Sequence, residues 1–359
     1  MPPFFVHPRT TDYSFGESHP LKPERLRRTL TLLERLGGPP VLHPGEGRVE
    51  DALRVHAPQY VEAIRRVDED LDHDTRMELC AEFGLYGDNP PFPGMYQTSL
   101  AYNSATARAA EAVRDGAPLA FAIGGGLHHA HYARASGFCI FDDPAVACAV
   151  LRDKFERVAY VDIDVHHGDG VQGLFYDDPT VLTCSIHESG RTLYPGTGFP
   201  YEIGASFSSL NVPVAAKTTA DVWLDAFTRT IPPALERFRP GAIVLQLGCD
   251  THYEDRLGHV LSTLDAYIAA VRILRDLGIP IVAVGGGGYN LTTVPRMWTA
   301  AVLELCRIEY PDDLPTDLAA AWGIPRFSDR DLPFSPGGGR EAAEEVVQTI
   351  ERDFLPNMG

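Results

Sequence analysis

The stretch VAYVDIDVHHGDG, residues 158–170, decides how this chain reads. It opens on Val158, Ala159, Tyr160 and Val161, an apolar run of strand-formers that reads as a buried strand. It then places Asp162, Asp164, His166, His167 and Asp169 within eight residues. Carboxylates and imidazoles crowded so closely repel or desolvate one another unless a cation or a proton network holds them. Asp162, Asp164 and His166 alternate, so an extended chain sends their side chains off one face. A carboxylate and an imidazole two residues apart suit a borderline divalent metal such as zinc. An N-cap Asp followed by a polar turn explains one acid, but not three acids and two histidines.

The chain has 359 residues, the size of a large α/β domain. Its net charge is −18 and it contains no basic run. Nucleic acid and anionic membranes both require a positive surface, so neither is expected as a partner. The six cysteines, Cys80, Cys139, Cys148, Cys184, Cys249 and Cys306, form no C-x-x-C pair. They read as buried free thiols in a reducing compartment. The N-terminal stretch lacks a basic region followed by an apolar core, and no apolar run reaches membrane-spanning length. A cytoplasmic protein is expected.

No repeat, low-complexity tract or linker divides the sequence. A single domain over 1–359 is expected, with a core at about 15–308 and a C-terminal tail and helix, 309–359, packed on it. Residues 4–20 read as irregular. Helices are expected at 22–36, 58–67, 95–114, 143–155, 263–277, 294–308 and 341–354, and at 220–238 with a break near Pro232-Pro233. Residues 84–94, GLYGDNPPFPG, read as an exposed loop. Strands are expected at 119–123, 158–164, 181–187, 210–214, 242–247 and 279–284. Such alternation predicts an α/β fold with a mostly parallel sheet covered by helices on both faces. The Pro- and Gly-rich tail at 311–339 is expected to be ordered by docking.

Four polar or Gly-rich clusters each follow a predicted strand: GGGLHHAH at 124–131, the acid and histidine cluster, Cys249-Asp250, and GGGGYN at 285–290. In open α/β sheets ligands bind beyond the C-terminal ends of the strands, so the clusters should converge. Asp250 closes an apolar strand, where a lone buried carboxylate is costly, and is the natural third ligand. Asp164, His166 and Asp250 supply two carboxylates and one imidazole, leaving positions for water and substrate. Fe(II) suits the same set. His128 and His129, beside three glycines, can serve as proton donor and acceptor, with Asp162 and Asp169 available to orient them. His131 and His167 read as structural. GGGGYN lacks the spacing of a phosphate loop and reads as a tight loop presenting Tyr289.

GGGLHHAH, ASGFCIFDD, YVDIDVHHGDGVQ, YPGTG, SLNVPV, LQLGCD and GGGGYN occur in the order found in the zinc-dependent histone deacetylase superfamily. The chain resembles its class I-like members and the bacterial acetoin-utilisation deacetylases, and HPLKPERL at 19–26 is similar to their N-terminal signature. The resemblance covers roughly residues 15–307. It implies the single-domain arginase–deacetylase fold and hydrolysis of Nε-acetyl-lysine in proteins or peptides to lysine and acetate. By the same resemblance, Asp164, His166 and Asp250 match the zinc ligands, His129 with Asp169 the general base and acid, and His128 with Asp162 the second histidine. Tyr289 matches the phenol that polarises the acetyl carbonyl. Gly137, Phe138 and Leu257 match the substrate tunnel, and Tyr194 stands where the second aromatic wall is usually Phe. Asp162, Asp164, His166, Ser185 and Ile186 match a potassium site, and Phe175, Asp178 and Val181 part of a second. Arg25 matches an arginine by an inner acetate-release cavity, and Asp88 a rim carboxylate that grips substrate backbone.

Three other readings stay open at this point. An acetylpolyamine or other small acylated-amine amidohydrolase would use the same site, although Leu257 stands where polyamine-selective relatives carry an acid. A dinuclear manganese hydrolase of the arginase kind lacks its carboxylate-rich motif around Asp250. A binding module that grips acetyl-lysine without turnover would have no use for His128, His129 and Tyr289 together. Neither the oligomeric state nor the acyl-chain preference is legible.

Overall fold

The computed structural model of the chain describes residues 1–69 and 71–358. Its strands are β1 (Phe4–Phe5), β2 (Val41–Leu42), β3 (Leu119–Ala122), β4 (Val158–Asp162), β5 (Val181–Glu188), β6 (Ser209–Val214), β7 (Ala242–Gln246) and β8 (Ile281–Val284). They form one sheet in the order β2-β1-β3-β8-β7-β4-β5-β6, and every pairing is parallel. The first six helices are α1 (Glu24–Arg35), α2 (Val49–Ala52), α3 (Pro58–Val67), α4 (His73–Phe83), α5 (Met95–Arg114) and α6 (Asp143–Arg152). The others are α7 (Asp169–Phe175), α8 (Ala220–Phe238), α9 (Leu264–Asp276), α10 (Thr293–Leu305), α11 (Thr316–Trp322) and α12 (Arg340–Thr349).

β4 to β8 are buried along their whole length, and their apolar residues divide between two faces that helices cover. Ala159 and Val161 of β4 and Ile243 and Leu245 of β7 pack on one face, with Trp223 of α8, Tyr267 of α9 and Trp298 of α10. Val158, Tyr160 and Val244 pack on the other, with Val113 of α5 and Val146 of α6. The period-two alternation of a strand thus feeds two separate cores. A third cluster, around Tyr60, Phe83, Met95 and Phe141, joins α3, α4 and α5 to Leu127, after β3, and Tyr289, after β8.

The register lines up the strand ends. Asp162 pairs with Gln246 on one side and Ser185 on the other, Gln246 pairs with Val284, and Val284 with Ala122. The loops after β3, β8, β7 and β4 therefore leave one edge of the sheet side by side. The four polar clusters sit on those loops.

Several sequence expectations change. Residues 4–20 are not wholly irregular, since β1 extends the sheet between β2 and β3. β4 stops at Asp162 instead of reaching 164, so Asp162, Asp164 and His166 do not share one strand face. α8 runs unbroken through Pro232 and Pro233, because Trp223, Phe227, Ile231 and Leu235 bury one side of it. The 84–94 loop is not simply exposed, since Leu85 and Asn89 are buried. α2, α4 and α7 lie outside the helices expected from the sequence, and the tail contains α11. No helix among the described residues is long and apolar enough to cross a membrane.

Candidate active site

The bend after β4 carries Asp164 and His166, and the turn after β7 carries Asp250. Asp164 Oδ1 accepts the His166 N–H at 2.9 Å and Oδ2 accepts the Gly287 N–H at 2.7 Å. Asp250 Oδ1 accepts the Val165 N–H at 2.8 Å. The three side chains meet at His166 Nδ1, which lies 3.1 Å from Asp164 Oδ1 and 3.0 Å from Asp250 Oδ2. All three residues are buried, and one donor atom from each lies within 4.8 Å of the others. Among the described residues no other group of three His, Cys, Asp or Glu is so placed.

The donor set fits a divalent cation. Burying an unpaired carboxylate costs several kcal/mol, and here two share one imidazole. Burial and the neighbouring Asp164 push the Asp250 carboxyl up, the mark of a cluster short of positive charge. A cation bound by the imidazole nitrogen and both carboxylates removes that deficit. Gly248 and Gly287 keep the space free, because a side chain at either would strike the Asp164 or Asp250 carboxylate.

Next to the triad stand His128 and His129. His128 Nδ1 lies 2.8 Å from Asp162 Oδ2, an oxygen that also accepts the Tyr160 hydroxyl at 2.6 Å. His129 Nδ1 lies 2.6 Å from Asp169 Oδ1. Burial would lower the His128 imidazole, but the Asp162 and Asp164 carboxylates outweigh it and bring it up to about 9. Burial and the neighbouring His128 take His129 down to about 4, against the pull of Asp169. The two imidazoles are thus driven apart by their surroundings. The loop that carries them is held by Asp143, whose carboxylate accepts the Gly126 N–H at 2.8 Å and the Leu127 N–H at 2.9 Å.

Tyr289 closes the other side. Its ring centroid is 6.5 Å from that of His166 and 5.7 Å from that of Phe138. Burial, then Asp250 and Asp164, hold its phenol well above the usual range, so it keeps its proton and can donate. Phe138 and Tyr194 form walls above the cluster, the Tyr194 ring lying 5.1 Å from His129 and 6.5 Å from His166. The Tyr194 hydroxyl reaches Ser136 Oγ at 2.5 Å. Phe138 sits at φ 68°, a strained setting for a residue with a side chain. The Tyr13 hydroxyl holds it there by donating to its carbonyl at 2.9 Å. A side chain at Gly137 would strike the His129 ring. Leu257 packs on the cluster that contains Tyr289.

A family model for the histone deacetylase domain matches residues 19–305. The chain belongs to the histone deacetylase family. Acetoin utilization protein AcuC of Bacillus subtilis is 36% identical over 97% of this chain and 95% of its own length. Histone deacetylase HDAC1 of Drosophila melanogaster is 33% identical over 97% of this chain and 67% of its own. Probable histone deacetylase 19 of Zea mays is 36% identical, and the chain spans 58% of that relative's length. A crystal structure of an HDAC homologue complexed with SAHA matches with a TM-score of 0.88 at 26% identity, over 97% of this chain and 99% of that one. The fold is that of the family, a parallel sheet with helices on both faces. Family membership makes the chain a hydrolase, which sets aside the pure binding module.

The remaining predicted residues lie on β5, in the turn after α7, under the site and in the loop after α4. Ser185 and Ile186 lie on β5 beside Asp162 and are buried, but Ser185 Oγ lies 2.8 Å from His187 Nδ1. Phe175, Asp178 and Val181 form one turn, in which the Asp178 N–H donates to the Phe175 carbonyl at 3.0 Å and the Val181 N–H to the Asp178 carbonyl at 3.3 Å. Arg25 lies under the site, where its Nη1 donates to the Gly286 and Gly288 carbonyls at 2.6 and 3.1 Å. It lines a cavity of about 20 Å³ with Thr10, Leu127 and Trp298. Asp88 is exposed, and its carbonyl lies 3.2 Å from His19 Nε2, a ring packed on Phe138 at 4.4 Å. Sequence reasoning missed Asp143, Asp255 and Tyr160. Only a buried acid at a helix start and a Tyr inside an apolar strand hinted at them. His131 is less detached than expected, since its Nε2 lies 3.3 Å from Asp169 Oδ2.

Proposed function

We propose that this hydrolase binds zinc at Asp164, His166 and Asp250 and removes acetyl from the ε-amine of lysine in proteins or peptides. The observation that carries the reading is the meeting of three groups at one point: His166 Nδ1 between two buried carboxylates, two carboxylate-held histidines, and the Tyr289 phenol. Zinc bound there supplies a Lewis acid for the acetyl oxygen and makes a water acidic enough to attack.

The chain's own residues do the rest. Asp169 accepts a hydrogen bond from the Nδ1–H of His129, which leaves Nε2 free to accept the proton of the attacking water. Tyr289 donates its hydroxyl to the acetyl oxygen as charge builds on it. His129, or His128 with it, then returns a proton to the leaving amine. Phe138, Tyr194 and Leu257 line the approach for an aliphatic chain, and Asp88 grips the substrate backbone at its mouth. Arg25 lies along the exit for acetate. Asp162, Asp164, His166, Ser185 and Ile186 would hold one potassium ion, and Phe175, Asp178 and Val181 part of a second.

The six free thiols support a reducing, cytoplasmic setting. We read residues 1–359 as one deacetylase domain. A small acylated amine is the second candidate substrate, since it would use the same site. Fe(II) is the alternative metal. The deciding experiment compares turnover of acetyl-lysine peptides, acetylated polyamines and small acylated amines on zinc-loaded protein. A preference for acetyl-lysine peptides supports the reading, and activity on small amines alone replaces it.

A further inference from the structure

Residues 311–339 lie beyond the stretch that the family model matches, yet they reach the loop that carries Asp250. His252 is fully buried two residues after Asp250. Its Nδ1 accepts the Glu254 N–H at 3.2 Å, which puts the ring proton on Nε2. Nε2 lies 3.1 Å from each oxygen of Asp329, whose side chain is 3% exposed. Asp329 Oδ1 also accepts from Arg296 Nη1 at 3.1 Å, and Oδ2 from the Leu264 N–H at 2.8 Å. A second tail contact lies alongside, the Tyr253 ring packing edge-on against Phe334 at 5.5 Å.

The pinned loop touches three parts of the site. It starts at Asp250. The Asp255 N–H donates to the His252 carbonyl at 2.8 Å. The Asp255 carboxylate then accepts the Tyr289 N–H at 2.6 Å and the Leu257 N–H at 3.0 Å. One short segment thus joins a metal-cluster carboxylate, the phenol and the tunnel wall. Docking the tail would not require His252, because Arg296 and the Leu264 N–H already hold Asp329. His252 is the contact that belongs to the Asp250 loop, and its ring is held at both nitrogens, by the Glu254 N–H and by Asp329.

We infer that Asp329, in the C-terminal tail, is a positioning residue for the reaction. Acting through His252, it fixes the 250–257 loop and with it Asp250 and Tyr289. The inference rests on the deacetylase reading above. Groups behind metal ligands and catalytic side chains typically govern both affinity and rate in this way.

The test uses the full chain loaded with zinc. Asp329→Ala is expected to lower kcat on an acetyl-lysine peptide about tenfold or more while KM stays within about twofold, and to weaken zinc in a chelator competition about tenfold. In a His252→Leu background the same substitution should add less than about twofold, because the two residues act in series. Val347→Ala, which removes buried packing from α12, should lower the melting temperature and leave kcat unchanged. Wild-type kcat and zinc affinity in Asp329→Ala would overturn the inference, and so would effects of the two substitutions that multiply. Should Asp329→Ala fail to fold, Asp329→Asn keeps the volume and is judged on the same quantities. Zinc-loaded wild-type protein inert toward every acylated amine would remove the deacetylase reading instead, and the zinc competition would still decide the role of Asp329.

Discussion

Asp255 Oδ2 accepts the backbone N–H of Tyr289 at 2.6 Å, so the phenol is aimed by a carboxylate on the loop that begins at Asp250. Its direction does not depend on the glycines before it alone. Those glycines allow the turn, with Gly286 and Gly288 at φ 133° and 131°, and Asp255 fixes where it ends.

Tyr289→Phe keeps the ring and its packing and removes one donor. Loss of a single oxyanion donor costs on the order of a hundred- to a thousandfold in kcat, about 3–4 kcal/mol. We expect that loss with zinc content intact and near-native affinity for a zinc-binding hydroxamate. Steady-state kinetics and metal analysis on one preparation check it. A mutant with wild-type kcat would make Tyr289 a packing residue.

Asp164→Asn should lose the metal and the activity together. Both oxygens of Asp164 accept backbone N–H groups, from His166 and Gly287. An amide nitrogen there would face a donor with a donor, and a neutral amide is a poor ligand for a divalent cation. Metal content by atomic spectrometry is the readout, and stoichiometric zinc with normal turnover would remove Asp164 from the ligand set.

Substrate choice follows from the walls. Phe138, Tyr194 and Leu257 offer no acid to pair with an extra amine. Acetyl-lysine peptides should therefore exceed acetylspermidine in kcat/KM. The reverse order by about tenfold, or about 1.4 kcal/mol in transition-state binding, would move the function to polyamines.

Acid should loosen the tail through Asp329. Burial would raise this carboxyl, but His252, the Leu264 N–H and Arg296 outweigh it and hold it at about 2, below its ordinary 3.8. Asp265 of α9 also faces it and adds repulsion. A depressed carboxyl stabilises the fold above its unfolded value and loses that contribution as pH falls from about 4 to about 2. The contribution at pH 7 is on the order of 2 kcal/mol. Unfolding free energies from urea titrations of the wild-type chain and Asp329→Asn should differ by that amount at pH 7 and converge toward pH 2. A gap that stays constant with pH would show that Asp329 is not ionised as described.

The central sheet was legible because fully buried parallel strands appear as apolar runs, and β3 to β8 each end in a polar or glycine cluster or a turn. β1 and β2 are two residues long, too short to carry a pattern. α4 buries only Cys80 and Phe83, so its sequence shows no apolar stripe. The order of strands could not be read, since pairing β8 between β3 and β7 is a long-range choice with no local signature. Within the site, the residues with unusual chemistry stood out from the sequence alone. Asp255 and Asp329 did not, because an Asp that accepts backbone or imidazole N–H groups looks like any surface Asp until the chain is folded. The alternation of Asp162, Asp164 and His166 misled on one point. The strand ends at Asp162, so that residue turns to His128 while the other two turn to Asp250.

β8 lies between β3 and β7, yet it leaves the ribosome after both. Until it arrives, the hydrogen-bonding sides of β3 and β7 that it will occupy stand open on a growing, apolar chain. The chain up to residue 280 therefore cannot complete the sheet by itself. Nascent chains stalled before Ile281 should be digested throughout by a protease that spares chains extended past Leu305. The four loops meet only once β8 has slotted in, so the site they build belongs to the finished polypeptide and not to the emerging one.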